Sequence, residues 1–221
     1  MKQEVLIPKM KRLDKKQRKI RIPLVNFVLI LFCSLLLVGA TFVNLSFRHY
    51  IIPLDVFTNK SLTTEDFIFG FSIIPQIPIV MFVSSVLGKR MALTSVLLYI
   101  IAGLFIIPVF ALGGGIHYLA EPGLGYILAY VPATIVVGNL LRKKYSFLNM
   151  IFAAILGVLV IHFCGIVYMT FIALVKQLGG TFILGWIQAQ SGLKVVYDII
   201  ISFVLMLIGK YIYAVVKFIS E

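Results

Sequence analysis

The sequence predicts an all-α integral membrane protein: six transmembrane helices with the N and C termini both cytoplasmic. Three observations carry this expectation. Of 221 residues, 61% are hydrophobic and 13% charged, against roughly 45–50% and 25% in soluble domains; mean hydropathy is +1.08. Charges and turn formers cut the chain into six apolar runs near the ~20 residues that a ~30 Å bilayer core requires. The basic residues alternate between the breaks as the positive-inside rule demands. Such a composition excludes a water-soluble enzyme, a disordered tail and a nucleic-acid module, and leaves no room for a second, soluble domain.

Residues 1–21 read as a basic cytoplasmic tail, with Lys2, Lys9, Lys11, Arg12, Lys15, Lys16, Arg18, Lys19 and Arg21 against Glu4 and Asp14. That charge fixes orientation and meets anionic lipid at about 1 kcal/mol per basic residue. It has no aromatic residue to stack on bases, so no nucleic-acid partner is expected. Residues 22–218 form the transmembrane domain. The first span, 22–47, is too long for the apolar core of a signal peptide. The second, 67–87, carries Pro75 and Pro78, so its outer half is not expected to be regular helix. The third, 91–110, ends at Pro108. In the fourth, 123–141, Gly125, Ala129 and Ala133 recur every four residues and give a smooth face for close helix contact. The fifth, 147–175, holds His162 mid-span, expected to bond to a neighbouring helix. The sixth covers 195–218. With the tail inside, sixteen of the twenty basic residues lie on the cytoplasmic side, among them Lys89, Arg90, Arg142 and Lys210. Only Arg48, Lys60, Lys176 and Lys194 lie outside, with five of the eight acids.

Irregular backbone at membrane depth is tolerated only where it is buried in protein or lines a cavity. Here it gathers at one end. Ile74-Pro75-Gln76-Ile77-Pro78, Pro108, Gly113-Gly114-Gly115 and Glu121-Pro122-Gly123-Leu124-Gly125-Tyr126 all fall on the outer side. This collection points to a small-molecule site that opens outward. The glycine run serves either as a tight turn or as a place where backbone N–H groups approach a ligand. Asp198 lies about one turn into the last span, where a central carboxylate would cost up to roughly 2.5–3.5 kcal/mol. Lys194, four residues earlier on the same face, is placed to pair with it, as an interfacial ion pair or as part of a ligand site. Trp186, Tyr99, Tyr145, Tyr197 and Tyr211 sit near span ends, as interfacial anchors do.

Catalytic signatures are missing. Gly88-Lys89-Arg90 lacks the Ser or Thr of a phosphate-binding loop, and Val83 stands where its first glycine would be. Neither HExxH nor GxSxG occurs. Cys33 and Cys164 lie in apolar runs without a CxxC pair. No enzyme activity, metal or cofactor is expected.

The stretch Ile74–Gly138 resembles the BioY family, the biotin-binding S components of energy-coupling-factor (ECF) vitamin transporters. The likeness runs through Pro75-Gln76-Ile77-Pro78, Leu87-Gly88-Lys89-Arg90, Leu98-Tyr99, Gly103-Leu104 and Pro108-Val109-Phe110. It is most specific in Gly113-Gly114-Gly115, Pro122-Gly123 and Gly125-Tyr126. The resemblance implies an S-component-like bundle in the cytoplasmic membrane, with biotin held near its outer face. It implies a pocket lined by Gly113, Gly114, Gly115 and the segment at Asp198; Gln76, Tyr118 and Lys194 are further candidates for it. It also implies partners: a transmembrane coupling subunit and two ATPase subunits, although some members are thought to work alone. Two departures stand out. Ile201 occupies the place of a lysine that usually follows the aspartate by three residues, and Gly113 that of an arginine. Lys194 is the expected substitute for the lysine. The first helix also lacks the usual Ala-xxx-Ala docking face. The alternatives are the same fold binding another vitamin or small heterocycle, a membrane enzyme, or a lipid-associated accessory protein.

Overall fold

The computed structural model describes residues 24–50, 63–143 and 146–220. The tail 1–21, Lys60, Lys144 and Tyr145 lie outside the described residues. Among the described residues seven α-helices follow in order: α1 (Leu24–Thr41), α2 (Gln76–Ile101), α3 (Leu124–Leu128), α4 (Tyr130–Lys143), α5 (Phe147–Val175), α6 (Gly179–Ser191) and α7 (Lys194–Ser220). Five helical stretches among the described residues are long and apolar enough to cross a membrane, so the chain is a multi-pass membrane protein.

One of those stretches folds back on itself. Gln76 and Tyr99 lie 23 residues apart in α2, yet the Gln76 Nε2–H donates to the Tyr99 hydroxyl at 2.7 Å. A straight helix would separate them by ~35 Å. The helix folds back at Gly88, whose φ of 69° and ψ of 173° belong to a region essentially reserved for glycine. Two antiparallel arms result, and the second continues through a π turn at Ala102–Ile106. Counting both arms, the described helices are compatible with the six passes that the apolar runs predict.

Burial follows the logic of a lipid solvent. Leu37, Val80, Met81, Tyr99, Phe110, Met150, Ile161 and Met206 are sealed inside, while Phe163 and Phe171 of α5 point outward at 70% and 62% exposure. Small residues bring the helices close. A Cβ on Gly125 would lie 2.3 Å from Tyr168 of α5, and Ala129 and Ala133 are buried on the same face, so this stripe is a packing surface. The two ends separate by charge. Lys89, beside the Gly88 turn, donates to Asn139 of α4 at 3.0 Å, which puts both inner breaks at one end. At the other, Lys176 pairs with Glu121 at 3.7 Å.

Two features depart from the expected elements. The first span ends at Thr41 rather than 47, and the chain then forms β1 (Leu45–Tyr50), antiparallel to β2 (Ile68–Ile73), with Leu45 opposite Ile73. The outer half of the second span is therefore a strand, and helix starts only at Gln76, with Pro78 in the first turn where its missing N–H costs nothing. Tyr99 is the second departure. It is fully buried, because its hydroxyl has partners in the core, and is not an interfacial anchor.

Candidate functional site

Gln76 organises the outer end. Its Nε2 donates to Thr41 Oγ1 at 2.5 Å as well as to Tyr99, and its Oε1 accepts from the Tyr130 hydroxyl at 3.2 Å. The amide thus ties α1, both arms of α2 and α4 together at membrane depth, where each polar group needs a partner. Behind it the rings of Tyr130, Tyr99, Phe110 and Tyr118 run in file, with successive centroids 6.5, 5.4 and 4.9 Å apart. Gln76→Leu would strand the Tyr130 hydroxyl and weaken the tie to α1. We expect a loss of about 1–2 kcal/mol, read as a lowered melting temperature in detergent.

A cavity of about 190 Å³ opens above this cluster. Ile74, Gln76 and Ile77 start its wall, the 111–118 loop adds Leu112 and Tyr118, and α3 and α4 add Tyr126 and Tyr130. Trp186 and Gln190 of α6 and Lys194 of α7 complete it. Its walls are mostly apolar, with the rings of Tyr118, Tyr126, Tyr130 and Trp186 among aliphatic side chains, two amides and one ammonium. Burial pushes the Tyr118 hydroxyl above the usual tyrosine range, so it is neutral at physiological pH. A second, more polar space of about 580 Å³ lies between β2 and α6 and shares Gln190 and Lys194 with the first.

Of the residues that sequence and resemblance single out, Gln76, Tyr118 and Lys194 face the cavity. Gly113, Gly114 and Gly115 stand behind its wall. Phe110 and Gly113 exchange backbone hydrogen bonds at 2.8 and 3.0 Å, and the Gly115 N–H donates to the Gly103 carbonyl at 2.8 Å. Two of the three N–H groups are thereby used within the protein. A Cβ on Gly114 would lie 2.5 Å from Pro108 Cα and 2.6 Å from the Gly103 oxygen. The triplet packs the loop down onto the π turn and so aims Tyr118 inward.

Asp198 is fully buried and does not pair with Lys194. Lys194 Nζ instead donates to Gln190 Oε1 at 3.2 Å. The carboxylate partner is His162 of α5, with Nε2 3.2 Å from Asp198 Oδ2. An ionised carboxylate only accepts, so Nε2 carries the proton. Nδ1 then accepts from Ser191 Oγ at 2.9 Å, and Ser191 in turn accepts from the Tyr126 hydroxyl at 2.8 Å. The chain Tyr126–Ser191–His162–Asp198 joins the cavity wall to the core and ties α3, α6, α5 and α7 together. Asp198 Oδ1 and Ser202 Oγ, one turn further on, have no partner among the described residues. His162 thus bonds to neighbouring helices, as its mid-span position led us to expect.

Trp186, Tyr126, Tyr130 and Gln190 were not legible as wall residues. A lone tryptophan near a span end has the same sequence signature whether it meets lipid headgroups or a cavity. Tyr126 and Tyr130 did leave a trace: four residues apart just after Pro122-Gly123, they share one helix face at the irregular end.

Comparison with known proteins agrees on one family. The family model described as "BioY family" matches residues 17–218. The chain is similar to a probable biotin transporter BioY of Lysinibacillus sphaericus, 34% identical over 96 residues, covering 42% of this chain and 49% of that protein. It is also similar to a probable biotin transporter BioY of Pyrococcus horikoshii, 38% identical over 91 residues (41% and 53% of the two chains), and to the biotin transporter BioY of Thermotoga maritima, 32% over 87 residues (39% and 52%). The chain spans about half the length of the curated relatives it matches. Its fold matches a crystal structure of the S-component for biotin from an ECF-type ABC transporter, with a TM-score of 0.59 and 18% identity, over 84% of this chain and 89% of that one.

Proposed function

Because this chain belongs to the BioY family, we propose that it binds biotin at its outer end and serves as the substrate-binding S component of a biotin uptake transporter in the cytoplasmic membrane. The observation that carries this reading is the cavity that gathers four aromatic side chains with the amide of Gln76 and the ammonium of Lys194. Biotin combines an apolar bicycle, a ureido group that both donates and accepts, and a carboxylate on an alkyl tail. Mostly apolar walls with a few convergent polar groups suit such a molecule. Tyr118, Tyr130 and Trp186 offer faces for the bicycle, the tyrosine hydroxyls and amides offer partners for the ureido group, and Lys194 offers the charge for the carboxylate. Asp198 acts from below: through His162 and Ser191 it fixes the hydroxyl of Tyr126 and the end of α6.

Energy would come from a transmembrane coupling subunit with two ATPases, as the resemblance implies, through a reorientation that turns the site inward. The same fold with another small heterocycle is the nearest alternative, and binding decides between them. Calorimetry on the purified protein in detergent should show tight biotin binding. Lys194→Ala should weaken it about ten- to a hundredfold, the worth of a charge-assisted hydrogen bond of about 1.5–3 kcal/mol. A folded parent that ignores biotin would refute the reading, and an unchanged Lys194→Ala affinity would remove Lys194 from it.

A further inference from the structure

The aromatic chamber does not hold a whole ligand. Its 190 Å³ falls below the roughly 300–1,000 Å³ of ordinary small-molecule sites, so a bicycle seated there must lead its tail out. The adjoining space of about 580 Å³ shares Gln190 and Lys194 with the chamber, and these two side chains flank the way through. A short alkyl tail ending in a carboxylate fills only part of that vestibule. Its walls say what suits the remainder. Ser72 of β2 and Gln188 and Gln190 of α6 supply neutral donors and acceptors, Gly70 and Gly185 leave room, and Lys194 is the one charged side chain on it among the described residues. A polyanionic extension would meet a single cation. A zwitterionic amino-acid head is net neutral and matches walls of amides, hydroxyl and backbone.

Resting on the biotin reading above, we propose that the site also takes conjugates in which the tail carboxyl is joined by an amide bond to an amino acid, the simplest being biotin linked to the side-chain amine of lysine. Lys194 Nζ, which meets a carboxylate in the free acid, donates to the amide carbonyl in the conjugate. Hydrogen bonds to an ionised partner are about twice as strong as those to a neutral one, but here the donor stays charged, so the conjugate should bind about tenfold more weakly than the free acid.

The test is calorimetry on the full chain in detergent, with biotin and with biotinyl-lysine as the two titrants. Gly185→Trp and Ser72→Trp, made singly, narrow the vestibule from opposite walls. A Cβ on Gly185 meets nothing within 4 Å, and tryptophan is a better helix former than glycine, so the fold should tolerate it. The expected result is that each variant weakens the conjugate at least tenfold more than it weakens biotin. Biotin bound by the parent but the conjugate excluded, by a thousandfold or more, overturns the inference and leaves the biotin reading standing. Conjugate binding that neither tryptophan affects places the extension elsewhere and also overturns it. A folded parent that binds neither titrant defeats the biotin reading and the inference with it.

Discussion

His162→Leu should destabilise the fold by about 3 kcal/mol, the cost of leaving a buried carboxylate without its hydrogen-bond donor. The Asp198 side chain has no exposure, and His162 Nε2, at 3.2 Å, is its partner; Oδ1 already lacks one among the described residues. Leucine fills the ring's volume but leaves the carboxylate among apolar groups. Thermal unfolding in detergent reads the loss as a large drop in melting temperature. The double variant His162→Leu with Asp198→Asn separates charge from packing. Removing the charge as well should restore at least half of the lost stability, because the penalty lies in the uncompensated ion. A single variant that melts with the parent would show that the pair holds no buried charge.

The second large effect is expected at Gly114. Alanine there puts a methyl group 2.5 Å from Pro108 Cα and 2.6 Å from the Gly103 carbonyl. Both obstacles are backbone, which cannot rotate aside, so the loop must lift. Lifting breaks the Gly115–Gly103 hydrogen bond and carries Tyr118 away from the cavity. Overpacking of this kind costs about 1–3 kcal/mol, occasionally more, and the lost hydrogen bond adds about 1 kcal/mol. Ligand affinity should fall at least tenfold together with the melting temperature. Gly180→Ala is the control: it lies in α6 with nothing within 4 Å of its Cβ, and should leave stability unchanged or slightly raised. Equal behaviour of the two variants would mean that the close approach at Gly114 does not matter.

Much of the architecture is readable from the chain because lipid imposes simple rules. Apolar length gives the passes, the Lys89-Arg90 and Arg142 breaks give the side, and the outward gathering of Pro75, Gly113–Gly115 and Pro122 gives the end where the cavity lies. Other parts are hidden for physical reasons. The run 22–47 stays apolar through its strand residues, since a strand on an apolar surface and a helix in lipid draw on the same side chains; only the fold shows the chain leaving helix at Thr41. Lys194 and Asp198 are four apart, which proves that they share a helix face but not that they touch. The true partner of Asp198 lies 36 residues away on α5, and no local spacing encodes it. The glycine triplet is open to two readings; the N–H groups of Gly113 and Gly115 are bound to backbone, the second because the π turn at Ala102–Ile106 leaves the Gly103 carbonyl free to accept.

The fold-back at Gly88 also sets how far a captured solute has left to go. The first arm of α2, from Gln76 to Leu87, rises only ~18 Å at 1.5 Å per residue, against ~30 Å of hydrocarbon. With Lys89 and Arg90 marking the cytoplasmic interface, Gln76 lies ~12 Å below the outer one. A molecule that reaches it has therefore crossed more than a third of the insulating layer by diffusion alone, before any subunit moves. The rest is an electrical question for an acid. A bare anion carried into a cytoplasm-negative cell is opposed by ~2.3 kcal/mol per 100 mV over a full crossing. Under the proposed binding mode, an anion held against the ammonium of Lys194 would travel as a neutral pair, and the membrane voltage would drop out of the step that remains.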